Sequence, residues 1–348
     1  MNKQNISILF KPVSFSCNIQ CTYCYYHERQ DSSIVYTDSK TLKSILESLQ
    51  SLPSETKINF LWHGGEPLLA GKSFFKELIR LQEEIIPDKK VKYGMQTNAL
   101  LIDSEWCEIF KKNKMHIGVS LDGTEDIHNN GRISKSGSGT YKEVINKINL
   151  LQKYDIPFGI LTTITKKSLG QEKIIFNNFI KLEIYKFDFL PCLESTDNSN
   201  INTYEWADFT IKMFDLWFNE DNPNIKIRFF EEIIKTILGG KPSLCTLSKG
   251  CSSLFTINNN GVLYACDDSE NDSDNILGNL LEEDFVTLQK NKNILIQKRF
   301  EYEQAMNCNF CEFNYICNSY CPRYYHLGID LCNALKIIFS HIVSSVES

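Results

Sequence analysis

Long apolar runs are missing from this sequence. No segment approaches the 18 uninterrupted apolar residues of a membrane-spanning helix, and the N-terminus, MNKQNISILFKPVSFSC, has no long apolar core ending in small residues. Neither an exported nor a membrane protein is expected, and the chain reads as cytosolic. A basic excess is missing too. The 37 Lys and Arg are outnumbered by 43 Asp and Glu, spread along the length for a net charge of −6, which leaves no broad basic face for nucleic acid. What is abundant is cysteine, thirteen in 348 residues. Without an export signal, that count points to metal-bound or catalytic thiolates rather than disulfides.

The first two-thirds alternates β-like runs with amphipathic stretches. Residues 7–15, 57–63, 91–97, 115–121, 158–164 and 185–190 read as strands, and 38–50, 72–86, 103–112, 140–154 and 171–181 as helices. About six such repeats imply an α/β fold with a mainly parallel sheet, too few for a closed eight-fold barrel, so a partial barrel is expected. Two further helices are expected at 203–219 and 229–238, and from Cys245 the chain turns cysteine-rich and loop-rich. The boundary is placed near residue 240, giving domains 1–240 and 241–348.

Cys17, Cys21 and Cys24 form CNIQCTYC directly after the first strand. Three thiolates on one tight loop can hold three irons of a [4Fe–4S] cluster and leave the fourth open. Zinc is the competing occupant, although a structural zinc site closes with four ligands. The CxxxCxxC spacing, with Tyr23 before the last cysteine, resembles the radical S-adenosylmethionine (SAM) superfamily. The resemblance implies that SAM binds the open iron and yields a 5′-deoxyadenosyl radical. It also implies a role for WHGGEP (62–67), with Gly64 and Gly65 allowing close backbone approach and Glu66 receiving the SAM ammonium. QTN with Asn98, SLDG with Ser120 and Asp122, and Arg132 resemble the ribose- and carboxylate-contacting positions at later strand ends, and Leu193 falls where the family contacts adenine.

Eight cysteines lie from 245 onward: Cys245, Cys251, Cys266, Cys308, Cys311, Cys317, Cys321 and Cys332. Eight suffice for two fully ligated [4Fe–4S] clusters, with two zinc sites as the alternative. Their spacing around Gly261 and in CxxCxxxxxCxxxC resembles the SPASM domain of peptide-modifying radical SAM enzymes. That resemblance assigns Cys245, Cys251, Cys266 and Cys321 to one auxiliary cluster and Cys308, Cys311, Cys317 and Cys332 to the other, making three clusters with the first. Cys107 and Cys192 remain, read as packing residues.

Over nearly the whole chain the architecture resembles anaerobic sulfatase-maturating enzymes and related peptide maturases. Those enzymes use an aspartate just after the third cysteine of the first auxiliary cluster as a base. Here it is Asp267, whose competing reading is a solvated acid in the run DDSENDSD. Tyr26 matches a family tyrosine. His63 departs from the Gln usual before GGEP in sulfatase maturases and resembles the maturases of ribosomal peptides, so a cross-linking peptide maturase (cyclophane or thioether) is expected. Formylglycine formation from Cys or Ser is the alternative, and a non-enzymatic electron carrier a third reading that GGEP disfavours. The implied partners are a precursor peptide or protein substrate and a reductant such as flavodoxin or ferredoxin. Sixteen residues precede Cys17, so no separate leader-binding domain is expected there.

Overall fold

The structure is a computed structural model that describes residues 5–26, 34–195, 197–249, 251, 253–267 and 275–347, without the side chains of 293–296 and 325–326. Six parallel strands, β1 (Asn5–Phe10), β2 (Lys57–Trp62), β3 (Lys90–Thr97), β4 (His116–Ser120), β5 (Phe158–Ile164) and β6 (Lys186–Pro191), alternate with helices. These are α1 (Ser39–Ser48), α2 (Gly71–Ile85), α3 (Ser104–Lys112), α4 (Glu125–Gly131), α5 (Tyr141–Lys153) and α6 (Glu172–Lys181). The expected partial (β/α)6 barrel is the observed fold, with most strand ends within a residue or two of those read from the sequence. Two differences have local causes. β1 ends at Phe10 because Pro12 cannot donate to a ladder and Ser14 adopts a φ of 52°. The short α4 was not anticipated, since seven polar-rich residues carry no helical period.

Alternation along the strands sorts the two faces. In β2, Ile58, Phe60 and Trp62 are buried while Lys57, Asn59 and Leu61 are exposed. Trp62 packs edge-on to Phe75 of α2 at 5.1 Å, so the buried set faces the helices. The opposite face turns inward and carries Gln96 of β3, which donates to Ser120 of β4 at 3.1 Å.

After β6 come α7 (Thr203–Glu220), β7 (Lys226–Ile227) and α8 (Arg228–Ile237), then β8 (Leu254–Ile257), β9 (Val262–Tyr264) and β10 (Ile276–Asn279). The remainder is helical: α9 (Phe285–Gln289), α10 (Asn293–Ala305), α11 (Asn314–Cys317), α12 (Pro322–His326) and α13 (Cys332–Glu347). The sheet does not stop at the expected boundary near 240. β8 joins β1 in parallel, giving one ten-stranded sheet in the order β10-β9-β8-β1-β2-β3-β4-β5-β6-β7. β1 is thereby shared between the barrel and the cysteine-rich region, and the carboxyl end of β1 meets loops from both. Among the described residues no helix is long and apolar enough to cross a membrane.

Candidate active site

The loop holding Cys17, Cys21 and Cys24 leaves the carboxyl end of β1 and is clamped from two sides. The Gly65 amide donates to the Ser14 carbonyl at 3.0 Å and the Glu66 amide to that of Ser16 at 2.8 Å. A Cβ on Gly65 would lie 2.1 Å from the Ser16 carbonyl oxygen, and one on Gly64 (φ 106°) 2.4 Å from that of Ser14. The close approach these glycines permit is thus to the backbone of the cysteine loop. From the other side the Gln20 and Thr22 amides donate to the Ile133 and Gly131 carbonyls at 2.8 and 2.9 Å. Burial pushes the Cys17 thiol up to about 11, with Glu66 adding to it, and Cys21 up to about 12 against the pull of Arg132. Each of these two thiols also feels Cys24 as a neighbour. Three neighbouring, desolvated thiols fit an iron-bearing group, since metal would relieve the cost of ionising them.

Glu66 is fully buried beside this loop. Its carboxylate accepts from the Leu68 amide at 3.0 Å, the Thr97 hydroxyl at 2.8 Å and the Asn98 amide at 2.8 Å. Burial nevertheless raises it to about 7. The Asn98 side chain donates toward Cys17 Sγ at 3.6 Å.

Across the loop lies a buried ion pair. Arg132 Nε donates to Asp122 Oδ2 at 2.9 Å, and Arg132 Nη1 reaches Cys21 Sγ at 3.8 Å. Arg132 is 9% exposed. Burial opposes its charge, but Asp122, Tyr23 and Cys21 hold it above its ordinary range. The Tyr23 hydroxyl also donates to Asp122 Oδ2, and the Thr163 amide to Oδ1 at 3.0 Å. These contacts of Asp122 hold Arg132 and Tyr23 in place. His128 supports both partners. Because the Thr140 hydroxyl donates to the Arg132 carbonyl, it accepts from His128 Nε2–H at 3.0 Å, while His128 Nδ1 accepts the Asp122 amide at 3.3 Å. Burial lowers His128 to about 4, consistent with this neutral tautomer. Ser120 faces the barrel interior at the end of β4, and Leu193, half-buried, follows β6.

The pairing of β1 with β8 brings Asp267 to the same rim. Its carboxylate lies 2.7 Å from the ammonium of Lys11, a lysine with no exposed surface, and accepts from the Tyr26 hydroxyl at 3.3 Å. Lys11 donates to Tyr26 at 2.8 Å and lies 4.8 Å over its ring. Burial alone would raise Asp267, but Lys11, His63 and the Tyr26 hydroxyl bring it below the ordinary carboxylate value. The bland reading of Asp267 as a solvated loop acid does not fit a carboxylate so enclosed. The run from 268 to 274 lies outside the described residues. Burial lowers His63, against the attraction of Asp267, and its Nδ1 is buried without a partner among the described residues.

In the cysteine-rich region Cys308, Cys311, Cys317 and Cys332 line one cavity, the grouping expected for the second auxiliary cluster. Cys321 lines a different one, of about 220 Å³, between Tyr320 and Tyr324. Four residues apart on a continued helix, Cys317 and Cys321 would share a face. They are separated because Asn318, Ser319 and Tyr320 all have positive φ, 47°, 66° and 47°. Three consecutive left-handed non-glycine residues are costly, of order 1 kcal/mol each. They are pinned by Asn318 donating to the Leu247 carbonyl at 2.8 Å and Ser319 to Glu303 at 3.0 Å. Cys251 and Cys266 are both electrostatic neighbours of the buried Lys292. Among the described residues no three His, Cys, Asp or Glu side chains converge as around a single metal ion. Cys107 is buried in α3, and Cys192 is buried with its thiol 3.5 Å from the Glu194 carbonyl.

Sequence reasoning did not single out Lys11, Thr97, His128 or Thr163. Lys11 had one visible signal, a cation directly after an apolar strand.

Comparison with known proteins fits this geometry. Residues 12–174 match the Radical SAM superfamily. The chain is 30% identical over 332 residues to a cysteine-type anaerobic sulfatase-maturating enzyme of Clostridium perfringens, covering 91% of this chain and 89% of the relative. It is 27% identical over 342 residues to a serine-type enzyme of Bacteroides thetaiotaomicron, covering 91% and 82%. Native anSMEcpe with bound AdoMet and Cp18Cys peptide superposes with a TM-score of 0.88 at 28% identity, over 98% of both chains. Streptococcus suis SuiB bound to S-adenosylmethionine superposes at 0.65 and 18% identity over 93% of this chain and 75% of that one, a likeness of fold.

Proposed function

The chain belongs to the anaerobic sulfatase-maturating enzymes, within the radical SAM superfamily, and we propose that it oxidises a Cys or Ser side chain of a protein substrate to formylglycine. This reverses the preference drawn from His63 alone. The likeness to sulfatase maturases of both types runs over about nine-tenths of the chain, whereas the argument for cross-linking rests on one residue.

The observation that carries the reading is Asp267, enclosed by Lys11 and Tyr26 at the barrel rim. When bound, SAM and the iron–sulfur clusters supply hydrogen-atom abstraction and an electron sink. The protein must then take one proton from the substrate hydroxyl or thiol. A carboxylate kept ionised by Lys11 is ready to accept it, and a weak base suffices because a carbon radical acidifies the adjacent O–H or S–H. Loss of a hydrogen atom, a proton and an electron from HC–XH leaves C=X. For Ser this is the aldehyde, and for Cys it is the thioaldehyde, which water hydrolyses to the aldehyde with release of hydrogen sulfide. Glu66 would pair with the SAM ammonium, Arg132 with its carboxylate, Ser120 and Asn98 with the polar groups near the ribose, and Leu193 with adenine. Cys17, Cys21 and Cys24 would hold the active cluster, and the eight C-terminal cysteines the two auxiliary clusters, in the grouping given above. A flavodoxin or ferredoxin is the proposed reductant.

The test uses reconstituted enzyme with SAM, dithionite and peptides carrying Cys or Ser in a sulfatase sequence. A hydrazine-reactive aldehyde on either peptide is expected. Loss of two hydrogens from an aromatic-containing peptide, with no aldehyde from the sulfatase peptides, would sink this reading and restore the cross-linking one that His63 favours.

A further inference from the structure

Among the described residues, two cations are buried in the cysteine-rich region, and both belong to one face of α10. Lys292 caps this helix and Arg299 follows seven residues later, two turns on; they are 4% and 6% exposed. Arg299 Nη2 donates to the Tyr320 carbonyl, the residue before Cys321, while its Nε and Nη1 are buried with no partner among the described residues. Glu303, one turn on, attracts Arg299 electrostatically, but its hydrogen bonds are to Lys249 at 2.7 Å and Ser319 at 3.0 Å. A buried guanidinium with two unmatched donors is costly unless something accepts from them. Lys292 donates to the Leu254 carbonyl, lies 3.6 Å over the Phe255 ring, and has Cys266 and Cys251 as its electrostatic neighbours. Lys292 therefore neighbours Cys251 and Cys266, and Arg299 is anchored one residue before Cys321, all three cysteines belonging to one ligand group.

We propose that Arg299 and Lys292 are outer-sphere cations of the first auxiliary cluster, Arg299 through N–H···S bonds and Lys292 through charge, and that they raise its reduction potential. The inference rests on the ligand grouping proposed above. Four thiolates around a [4Fe–4S]²⁺ core carry a net charge of about −2, which two cations balance. Reduction adds a further negative charge, so nearby cations and sulfur-directed donors favour the reduced form. Both are positioning residues, since neither touches substrate.

The test is an EPR-monitored redox titration of the reconstituted full chain carrying Cys17, Cys21 and Cys24→Ala, so that only the auxiliary couples are read. Cys251→Ala and Cys311→Ala identify each couple by removing it. Arg299→Gln is expected to shift the first couple at least tenfold toward the oxidised form at fixed potential, ~59 mV for one electron. Lys292→Met should shift it in the same direction, with about eight irons retained and the other couple unchanged. If Arg299→Gln loses iron, Arg299→Lys keeps the charge and should shift the couple less, by at least about twofold, because it lacks the fork. An unmoved couple in an iron-replete Gln or Lys variant overturns the proposal, as does a shift confined to the couple that Cys311→Ala removes. Failure of the ligand grouping looks different: Cys251→Ala and Cys321→Ala would then remove different couples.

Discussion

The barrel and the cysteine-rich region share one sheet but are held by different means. From β1 to α6 each strand sends a row such as Ile58, Phe60 and Trp62 against the helices, and burial of those side chains at about 1.5–3 kcal/mol each dominates. Beyond β10 the long α13 still buries an apolar row, Leu335, Ile338, Phe339 and Ile342, but between α10 and α13 the order comes from short helices around thiols, a left-handed run at Asn318–Tyr320 and buried cations at Lys292 and Arg299. An apolar core is complete without metal, whereas a shell of thiols and cations is completed by the group it surrounds. Chemistry is poised where the two meet, at β1, which sends Lys11 to Asp267 and Cys17 to Glu66's side.

The comparison breaks most sharply at the active loop. Cys17, Cys21 and Cys24→Ala together should abolish 5′-deoxyadenosine release and lower iron from about twelve to about eight per chain. Circular dichroism of the barrel should remain native. Full SAM cleavage by this variant would defeat the assignment.

Iron chelation addresses the two regions at once. Amides of α10 to α12 should exchange at least a hundredfold faster in the apo protein, ~2.7 kcal/mol of local opening, while β2 to β5 stay protected. Equal loss of protection in both would show that the barrel depends on metal as well. Because burial raises the Cys17 and Cys21 thiols to about 11 and 12, rebuilding the clusters requires proton release and should be more complete at pH 9 than at pH 7.

At the junction, Asp267→Asn should still release 5′-deoxyadenosine with substrate present but lose product more than tenfold, over about 1.4 kcal/mol on the barrier. Iron content is measured in parallel, since Asp267 adjoins Cys266. Wild-type product from an iron-replete variant would remove Asp267 from the mechanism.

The smallest effect tests Glu66. Burial raises it to about 7, so it is charged above that pH and neutral below it. Affinity for the SAM ammonium should fall by about fourfold as pH drops from 8 to 6.5, and Glu66→Gln should bind more weakly with no such slope. Equal slopes in both proteins would assign the ammonium to another group.

The strands of the barrel were legible because hydrophobic period and β-branched runs recur locally, and CxxxCxxC with GGEP marked the site within them. The C-terminal strands and the short helices were not, since residues around thiols need no period, whereas α13 does carry one in Leu335, Ile338, Phe339 and Ile342 and was passed over among the cysteines. His63 favours cross-linking, but one side chain beside Asp267 carries less information about substrate than the architecture around it.

The sequence by itself determined the alternation of strand and helix, the number and spacing of thiols, and the order of polar residues at the strand ends, because each depends on neighbours along the chain. Only the tertiary structure decided that Arg132 is buried against Asp122, that Cys317 and Cys321 part company, and that Lys11 meets Asp267. Lys11 and Asp267 are brought together by the pairing of β1 with β8, a contact between residues far apart in the chain, and there two ordinary charges become an enclosed ion pair.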